Sequence, residues 1–429
     1  MYYRQNTLVV LTALLFFMPL PVFAMGVSTA QDYLSDKYQI DFNGFIEARA
    51  GGRIDNTVDE KDASIAETRL QLDFGKNATW GTLKLKGDIL GDLVTEELTA
   101  ELRELNVVSS PFDTVDIKAG RQVLTWGTGD LLFINDLFPK DWESFFIGRD
   151  DEYLKAPSDA IKTSLFLDAF NLDLVYVPVF NGSKYIDGSR ISYWNSMQSR
   201  IAGRDFIFTD QERNHFSRDS EYALRLSKNL NGTELALYFY NGFWNTPEGV
   251  DPLAMELIYP RLSVYGASAR KAILGGIGNT EIGYYDSRQD PGGDDPLIRN
   301  SEIRFLAGYE REIARNFSGG LQYYLEYMED YAQYESSMPA GARKKDEYRH
   351  LITLRLTKLL MNQNLRLSVF TYFSPSDEDA YIRPKANYKL NDNWSIEAGG
   401  NLFRGKNDHT FWGQFEDNTN IYAGTRLSF

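Results

Sequence analysis

The chain ends in the stretch NIYAGTRLSF, residues 420–429. Its apolar side chains alternate with polar or small ones, so that one face takes Ile421, Ala423, Leu427 and Phe429, and the other takes Asn420, Tyr422, Gly424 and Arg426. A period of two is the pattern of a β-strand with one oily face and one wet face. Because the pattern runs to an aromatic last residue, the sequence predicts a strand that ends with the chain.

The same alternation occurs throughout the chain, beginning with IDFNGFIEARA at residues 40–50. In that stretch Glu47 and Arg49 fall on the wet face. We predict eighteen strands, near 38–54, 64–75, 79–89, 98–109, 114–123, 160–169, 171–179, 219–228, 232–242, 259–272, 279–288, 299–311, 316–329, 346–358, 363–373, 380–390, 393–404 and 418–429. An even number of antiparallel strands brings both termini to one side of the sheet.

The predicted connections alternate between short and long. The short ones contain turn-forming residues and lie at 76–78, 109–114, 171, 229–231, 313–315, 361–362 and 391–392. The long ones cover 54–63, 124–159, 180–218, 243–259, 289–298, 331–345, 373–379 and 405–417. Bacterial membrane barrels have tight periplasmic turns and long extracellular loops. The pattern favours that class over a soluble sandwich or propeller, which is the alternative.

We therefore predict an all-β fold, a closed antiparallel transmembrane β-barrel of the bacterial outer membrane. A sheet in lipid cannot leave an open edge, because each unpaired backbone group in hydrocarbon costs several kcal/mol. A barrel of about 18 strands encloses a lumen too wide for side chains to fill, as in porins. The final strand with its terminal Phe429 resembles the closing strand that the barrel-assembly machinery reads.

The chain is expected to have three regions. Residues 1–24 are predicted to be a signal peptide, with Arg4 before an apolar run and a small-x-small pattern ending at Ala24. An uncleaved anchor is the alternative. Residues 25–37 are predicted to be a short periplasmic segment with one or two helical turns, and residues 38–429 the barrel.

Composition limits the classes of function. Aromatic residues make up 14% of the chain while the mean hydropathy is −0.38, as expected when only alternate strand residues face lipid. The chain has no cysteine, which excludes a disulfide framework. A net charge of −15 argues against a nucleic-acid partner. Haem-attachment, phosphate-loop and metal-ligand motifs are absent from the sequence, so we predict neither a cofactor nor a metal.

The wet faces of the strands predict the residues that a permeating solute meets. This pore-lining set is Glu47, Arg49, Arg69, Lys84, Lys86, Arg225, Arg304, Arg349, Arg355, Arg366, Arg383, Lys385 and Arg426. Cations predominate in the last five strands, which favours passive diffusion of small polar solutes that are anionic or polyhydroxylated. The sequence leaves open a second interpretation, in which these groups pair with carboxylates of neighbouring strands and set no selectivity.

Acidic clusters fall in the predicted outer loops, at 149–152, 290–295 and 376–379. They are interpreted either as solvated charge or as sites for divalent cations that bridge to lipopolysaccharide of the outer-membrane lipid.

Catalysis by an outer-membrane hydrolase needs a histidine beside a carboxylate or a serine. The chain has only His215, His350 and His409, two in predicted outer loops and one with lipid-facing parity, so we predict no enzyme. The alternative to a channel is a non-conducting barrel that sheathes a periplasmic partner protein or uses its outer loops for adhesion.

One local series follows the fifth strand: Gly120-Arg121-Gln122, Trp126-Gly127, Asn135-Asp136 and Pro139-x-Asp141. It resembles barrels of the alginate-export type and a related porin-like family. The resemblance implies a monomeric barrel whose loop after the series can turn into the channel. The mixed charges of the wet faces depart from the arginine-lined conduit of the alginate exporter.

The residues of this series are also candidates for a constriction. Arg121 and Trp126 are predicted to pin the loop inward, with Asp130, Asn135, Asp136 and Asp141 as polar groups near the constriction; a purely structural role in folding the loop is the alternative. Residues 180–218 are a second candidate gate or lid.

Overall fold

The computed structural model describes residues 20–55, 60–254 and 256–429, with side chains from residue 26 onward. Within these ranges, eighteen strands form one antiparallel sheet. They are β1 (Ile40–Arg53), β2 (Ala63–Ala78), β3 (Gly81–Asp92), β4 (Glu97–Phe112), β5 (Val115–Val123), β6 (Pro157–Phe166), β7 (Asn171–Val177), β10 (Glu221–Leu230), β11 (Thr233–Phe243), β14 (Arg261–Ile273), β15 (Gly276–Ser287), β16 (Glu302–Ala314), β17 (Phe317–Met328), β18 (Tyr348–Leu360), β19 (Leu365–Ser374), β20 (Asp379–Lys389), β21 (Trp394–Gly405) and β22 (Asn420–Ser428).

The sheet closes because β1 pairs with β2 on one side and with β22 on the other. Glu47 on β1 lies opposite Arg69 on β2 and opposite Arg426 on β22. The predicted barrel of eighteen strands is therefore confirmed. Errors are confined to strand ends: β6, for example, was predicted at 160–169 and is found at Pro157–Phe166.

Connections at one end of the barrel are all tight, and we call it the short-turn end. The other, the long-loop end, has most of the long segments but also two tight turns, at residues 93–96 and 375–378. The alternation of short and long connections is therefore less strict than predicted. In the first of these turns the Asp92 carboxylate accepts from Val94 N at 2.8 Å, which lets β3 continue directly into β4.

Large apolar side chains are exposed on the outer face of the strands, for example Leu83 and Leu85 on β3 and Leu235 and Leu237 on β11. Near the long-loop end the same face carries exposed tyrosines, Tyr222, Tyr265 and Tyr284. The opposite face carries buried charges. An apolar outer band bordered by aromatic residues is the surface that a barrel presents to lipid.

Three helices lie outside the sheet in the described ranges: α1 (Leu20–Tyr38), α2 (Trp142–Ile147) and α3 (Tyr331–Ser337). Helix α1 is longer than the one or two turns predicted for residues 25–37. The side chain of Gln31 donates to Phe42 O at 2.8 Å, in a part of β1 that extends beyond its pairing with β22. Residues 1–19 of the predicted signal peptide lie outside the described residues, and cleavage after Ala24 stays a prediction.

No helix in the described part of the chain combines the length and the apolar character needed to cross a membrane. Two small hairpins lie within the long-loop segments: β8 (Tyr193–Asn195) with β9 (Arg200–Ala202), and β12 (Gly249–Asp251) with β13 (Glu256–Ile258).

Candidate functional site

Residues 124–156, between β5 and β6, form what we call the inner loop. It bonds to strands that lie far apart around the closed sheet. Tyr153 Oη accepts from Gln71 on β2 at 2.9 Å, Gly129 N donates to Glu281 on β15 at 2.8 Å, and Phe145 O accepts from Tyr381 on β20 at 3.2 Å. A segment that contacts walls facing each other must lie between them. The inner loop therefore crosses the lumen of the barrel.

The first half of the inner loop is held by the carboxylate of Glu281, which is buried. It accepts from the backbone N–H groups of Thr128 and Gly129 and from the Asn135 side chain, the last at 2.8 Å. Gly127 has a φ of +81°, and a Cβ on it would lie 3.1 Å from the Glu281 carboxylate. Gly127 and Asn135 of the sequence series therefore both contact the Glu281 carboxylate on the wall.

Other residues of the series also lie in the lumen. The Trp126 ring meets Phe138 at 5.0 Å between centroids, and Asp130 accepts from Arg355 on β18 at 2.7 Å. Asp136 accepts from Thr125 Oγ1 at 2.8 Å and lies 3.1 Å from Lys140 Nζ. Burial lowers the pKa of Lys140, and Asp136 opposes that shift.

Arg121 does not belong to this group, contrary to the expectation that it pins the loop. It lies opposite Leu105, an exposed apolar residue of the outer face, so its side chain has outward parity. There it pairs with Asp159 on β6 at 2.8 Å. Its neighbour Gln122 has inward parity, is fully buried, and donates to Ala160 O at 2.9 Å.

Helix α2 lies at the centre of the inner loop. Asp141 caps its N-terminus by accepting from Ser144 N at 2.8 Å, and Gly148 ends it with a φ of +87°. Phe145 and Phe146 pack into an aromatic cluster on β19 to β22 and the following loops; the cluster also contains Tyr372, Tyr381, Phe403, Trp412, Phe415 and Tyr422. Asp141, which was predicted to lie near the constriction, therefore has a structural role as a helix cap.

We expect Gly148→Ala to destabilise the folded barrel strongly. A Cβ there would lie 2.1 Å from Tyr422 Cε1, and the left-handed φ alone costs about 1–2 kcal/mol for a residue with a side chain. Gly341 is a matched control, because its φ is +83° and nothing lies within 4 Å of its Cβ position. Thermal unfolding in detergent should show a larger drop in Tm for G148A than for G341A; equal drops would contradict the packing described here.

The acidic run that follows α2 is tied to the barrel wall. Asp151 pairs with Arg383 at 3.0 Å, Glu152 with Lys86 at 3.2 Å, and Asp150 lies 3.6 Å from Arg426. The prediction that residues 149–152 carry charge in an outer loop is therefore wrong. The reason is that the barrel wall carries basic side chains at the level of this run, so these carboxylates form ion pairs inside the barrel.

Arg149 and Tyr153 anchor the same part of the inner loop. Arg149 Nε donates to Glu67 on β2 at 3.0 Å. Two guanidinium groups lie over the Tyr153 ring, with Arg69 Cζ 3.9 Å and Arg103 Cζ 4.6 Å from its centroid. Cation–π contacts of this kind are stronger when the ring is shielded from water.

Residues 178–220, between β7 and β10, form what we call the cover loop. Its Arg190 is fully buried and pairs with Asp92 at the end of β3 and, at 3.3 Å, with Glu143 of α2. Lys184 adds a second pair to Glu143 at 3.0 Å. Burial raises the pKa of Glu143, and the nearby cations Lys184 and Arg149 oppose that shift.

Removing the buried guanidinium should loosen the cover loop. We expect Arg190→Gln to increase the rate of limited proteolysis within residues 178–220, because a buried charge pair that loses one partner costs about 3–5 kcal/mol. Arg200, an exposed residue of the same loop that pairs with Asp205, is the matched control. If R190Q and R200Q are cleaved at the same rate as the unmodified chain, Arg190 does not hold the loop.

The predicted pore-lining residues are mostly occupied by ion pairs. Among the described residues Arg366 alone of that set has no carboxylate partner. The pairs are Arg49 with Glu47 and Glu397, Arg69 with Asp88, Lys84 with Glu104, Lys86 with Glu152, Arg225 with Asp173, Arg304 with Glu302, Arg349 with Asp377, Arg355 with Asp130, Arg383 with Asp151, Lys385 with Glu397, and Arg426 with Glu47. This is the arrangement of the second interpretation that the sequence left open. Whether these residues line a conducting path stays a prediction.

Solvent access differs among the inward cations. On β20 to β2, Arg49 and Arg69 are only 4% exposed and Lys385 is 22% exposed. Four cations on β3, β5, β6 and β10 are more accessible: Lys84 is 39%, Lys118 30%, Lys162 30% and Arg225 35% exposed. Lys86 on β3 and Arg103 on β4 contact the inner loop and are only 17% and 5% exposed.

At the long-loop end of β6, β7 and β10 the inward side chains are buried in the same core as the inner loop; they are Ala160, Val175, Val177 and Ala223. The four accessible cations lie nearer the short-turn end than these side chains do, and we call them the open basic wall.

Lys118 and Lys162 were missed in the sequence-based set. They lie opposite each other on β5 and β6, and each has a carboxylate nearby, Glu104 at 3.6 Å and Asp173 at 3.3 Å. The signal was available, because both lysines sit between apolar or small residues in the stretches DIKAG and AIKTS.

Asp290 in a second acidic cluster and the histidine His350 make contacts within the fold. Asp290 accepts from the backbone N–H groups of Asp294 and Asp295, both at 3.2 Å. Across the described residues, no group of three or more acidic, histidine or cysteine side chains is arranged to hold a metal ion. His350 bonds to Tyr323 at 2.8 Å.

The sequence matches no protein-family model. It also matches no curated protein. Among solved structures, OccAB3 of Acinetobacter baumannii has a TM-score of 0.54 at 11% identity, over 91% of this chain and 99% of that one. A mutant of the Rh. blastica porin has a TM-score of 0.41 at 12% identity, over 91% and 100%. OmpF of Salmonella typhi, in complex with daunomycin, has a TM-score of 0.45 at 11% identity, over 91% and 97%. The similarity to OccAB3 supports the barrel fold.

Proposed function

We propose that this chain is a channel of the bacterial outer membrane through which small polar solutes diffuse passively. The lipid-facing band and the closed eighteen-stranded sheet support the membrane placement, with the short-turn end in the periplasm. A barrel of this size has more lumen than its own side chains fill. The inner loop narrows that lumen, and the cations of the open basic wall stay accessible nearer the short-turn end.

The open basic wall is the observation that carries the proposal. Its four cations, Lys84, Lys118, Lys162 and Arg225, are accessible to water. Of the carboxylates beside them, Glu104 and Asp173 are only 13% and 12% exposed, and Asp73 is 30% exposed. A solute passing here therefore meets more accessible cations than accessible carboxylates. Positive charge at a narrow, partly dehydrated passage raises the local concentration of anions.

We propose that the favoured solutes are small anions, including polyhydroxylated acids. Lysine and arginine bind carboxylate or phosphate groups of such solutes, and their remaining donors bind hydroxyl groups. The resemblance of residues 120–141 to alginate-export barrels agrees with this solute class. The mixed charge and extensive pairing on β16 to β2 depart from an arginine-lined conduit and favour small acids over a long polyanion.

The test is a planar-bilayer recording of the purified chain. In a salt gradient, the reversal potential should have the sign of anion preference, and addition of small sugar acids should interrupt the current more strongly than neutral sugars do. Preference for cations would refute the solute class. Absence of any conductance from a correctly folded barrel would refute the channel itself.

A non-conducting barrel is the second candidate, and one observation favours it. Both the inner loop and the cover loop contribute buried side chains to a continuous core, including Ile134, Phe145, Ile191 and Tyr193. If these loops fill the passage, the barrel serves as a sheath for a periplasmic partner or as a surface-binding protein. The same recording separates the two candidates, because a sheath conducts nothing.

A further inference from the structure

Three arginines at the long-loop end lie on the outer side of the barrel. Arg261 begins β14, and its parity is that of exposed Tyr265 on the same strand. Arg288 follows β15 with the parity of exposed Tyr284, and its backbone N–H donates to Arg261 O at 3.0 Å, so it continues the strand pairing. Arg218 precedes β10, with its side chain 68% exposed. Arg261 Nη2 donates to Arg218 O at 3.5 Å, which joins the three into one patch.

Arg261 and Arg288 lie at the same height, because β14 and β15 are paired strands and Tyr265 lies opposite Tyr284. Each arginine is four residues closer to the long-loop end than an exposed tyrosine: Arg261 and Tyr265, Arg288 and Tyr284. Arg218 lies in the turn before β10, beside Arg261. At a rise of about 3.3 Å per residue and a tilt of roughly 40°, four residues correspond to about 10 Å along the membrane normal. Tyrosines of a barrel mark the edge of the hydrocarbon, so the arginines lie at headgroup depth.

The arginines of this patch are short of carboxylate partners. Arg261 and Arg288 have no ion pair within the described ranges. The only carboxylate within 4 Å of Arg218 among the described residues is that of Asp219, at 3.8 Å. This buried carboxylate also lies 3.4 Å from Arg213. Two other exposed cations of the long-loop end are neutralised, Arg404 by Glu416 and Lys406 by Glu378, both at 2.8 Å.

Phosphate is the anion that this geometry fits. Guanidinium groups bind phosphate in a bidentate way, and two unpaired ones side by side can share one group or hold two. An apolar anchor lies next to them, because Phe216 is 73% exposed two residues before Arg218. A ligand with phosphates at headgroup depth and acyl chains beside the tyrosines satisfies all of these features.

We propose that Arg218, Arg261 and Arg288 form a binding site for the phosphorylated headgroup of the outer-leaflet glycolipid, the lipid A part of lipopolysaccharide. The site holds the glycolipid through direct phosphate contacts and does not use the acidic loops as divalent-cation bridges. It depends on the placement of the barrel in the outer membrane and not on conduction. A chain that conducts nothing can therefore still bind the lipid.

The test measures lipid A retained by the full chain. The purified protein is placed in phosphatidylcholine nanodiscs containing diphosphoryl lipid A, extracted with detergent and examined by native mass spectrometry. Three arms use diphosphoryl lipid A, its dephosphorylated form, and diphosphoryl lipid A with excess inorganic phosphate. We expect the chain to retain diphosphoryl lipid A but not its dephosphorylated form. Excess inorganic phosphate should not displace the lipid, because the acyl chains also bind.

The decisive variant is R261Q/R288Q, with R404Q/K406Q as the control that removes two paired cations from the same end. The first should lower retained lipid A by about thirty-fold, as expected for two cations at a membrane surface, and the second should not change it. R261K/R288K keeps the charge but not the bidentate contacts, so it should retain an amount of lipid A between that of R261Q/R288Q and that of the unmodified chain. Arg218 lies outside the strand pairing, so Arg218→Gln should lower the retained lipid A without disturbing the sheet.

Several results would overturn the proposal. The first is that R261Q/R288Q and the unmodified chain retain equal amounts of lipid A. The second is that the unmodified chain retains the dephosphorylated lipid as well as the phosphorylated one. The third is that excess inorganic phosphate displaces lipid A, which would mean that the acyl chains add nothing to binding. Heat-modifiable migration on gels and bilayer conductance report folding and the channel separately, so a failure of the channel proposal does not imply a failure of this one.

Discussion

Replacing Lys118 and Lys162 by glutamate should reverse the ion selectivity of the channel. The two lysines belong to the open basic wall, where they lie opposite each other on β5 and β6 and are each 30% exposed. A unit charge at about 5 Å in water contributes about 0.8 kcal/mol to the energy of a passing ion. Reversing two charges therefore changes the anion-to-cation permeability ratio by at least about tenfold. The measurement is the reversal potential in a salt gradient.

The control for this reversal changes the net charge equally at a different place. Lys344 and Lys406 are exposed in loops of the long-loop end and pair with Glu335 and Glu378. K344E/K406E should shift the reversal potential only slightly, because charges outside the narrow passage are screened within a Debye length of about 8–10 Å. Equal shifts for the two double variants would show that net charge, and not the open basic wall, sets selectivity. K118Q/K162Q should lie between the native and reversed values.

Replacing Glu281 by alanine should release the first half of the inner loop from the wall and raise single-channel conductance. The carboxylate accepts from Thr128 N, Gly129 N and the Asn135 side chain. Each buried donor left without a partner costs about 1–3 kcal/mol, so the loss amounts to several kcal/mol and favours the detached loop. The expected recording shows larger and noisier openings than those of the native channel.

A glutamate on the neighbouring strand is the control for this release. Glu310 on β16 is exposed and lies 3.8 Å from Arg270, without a contact to the inner loop. E310A should leave the size and noise of the openings nearly unchanged. If E281A folds, by gel migration and thermal unfolding, and still conducts like the native chain, the inner loop does not limit the current.

The two variants address different parts of one passage. The lysines decide which ions enter, and Glu281 decides how much of the lumen the inner loop occupies. A channel in which E281A increases the current without changing the sign of selectivity would support this division, because the open basic wall is then still intact.

Most of the fold was predictable because its rules are local and repeat. A strand with one face in lipid and one in water must alternate, and residues 40–50 and 420–429 show that alternation directly. Closure followed from the cost of an open edge in hydrocarbon. The tight turn at residues 93–96 was not predicted, because the side chain of Asp92 caps it and no proline or glycine marks it.

The functional region was predictable only in part. The sequence predicted that residues near Trp126 and Asp130 turn into the channel, and both lie in the lumen. The Arg121 side chain was predicted to pin the loop inward, but it points outward. The face that a strand residue takes depends on its register, and the register near Arg121 is hard to predict because the neighbouring Gly120 has a positive φ. The acidic run 150–152 looked like loop charge because its partners, Lys86, Arg383 and Arg426, lie on distant strands.

The amino-acid sequence by itself determined the strand number, the closed sheet and the faces of the strands, since each follows from the side-chain period and the chemistry of lipid and water. Only the tertiary structure decided which inward cations are neutralised and which stay accessible. That outcome depends on where the inner loop and the cover loop lie in the lumen, and on partners far apart in the chain, such as Asp130 with Arg355 and Glu281 with Asn135. Pairing across a lumen has no local signature, because it is set by the diameter and register of the whole barrel.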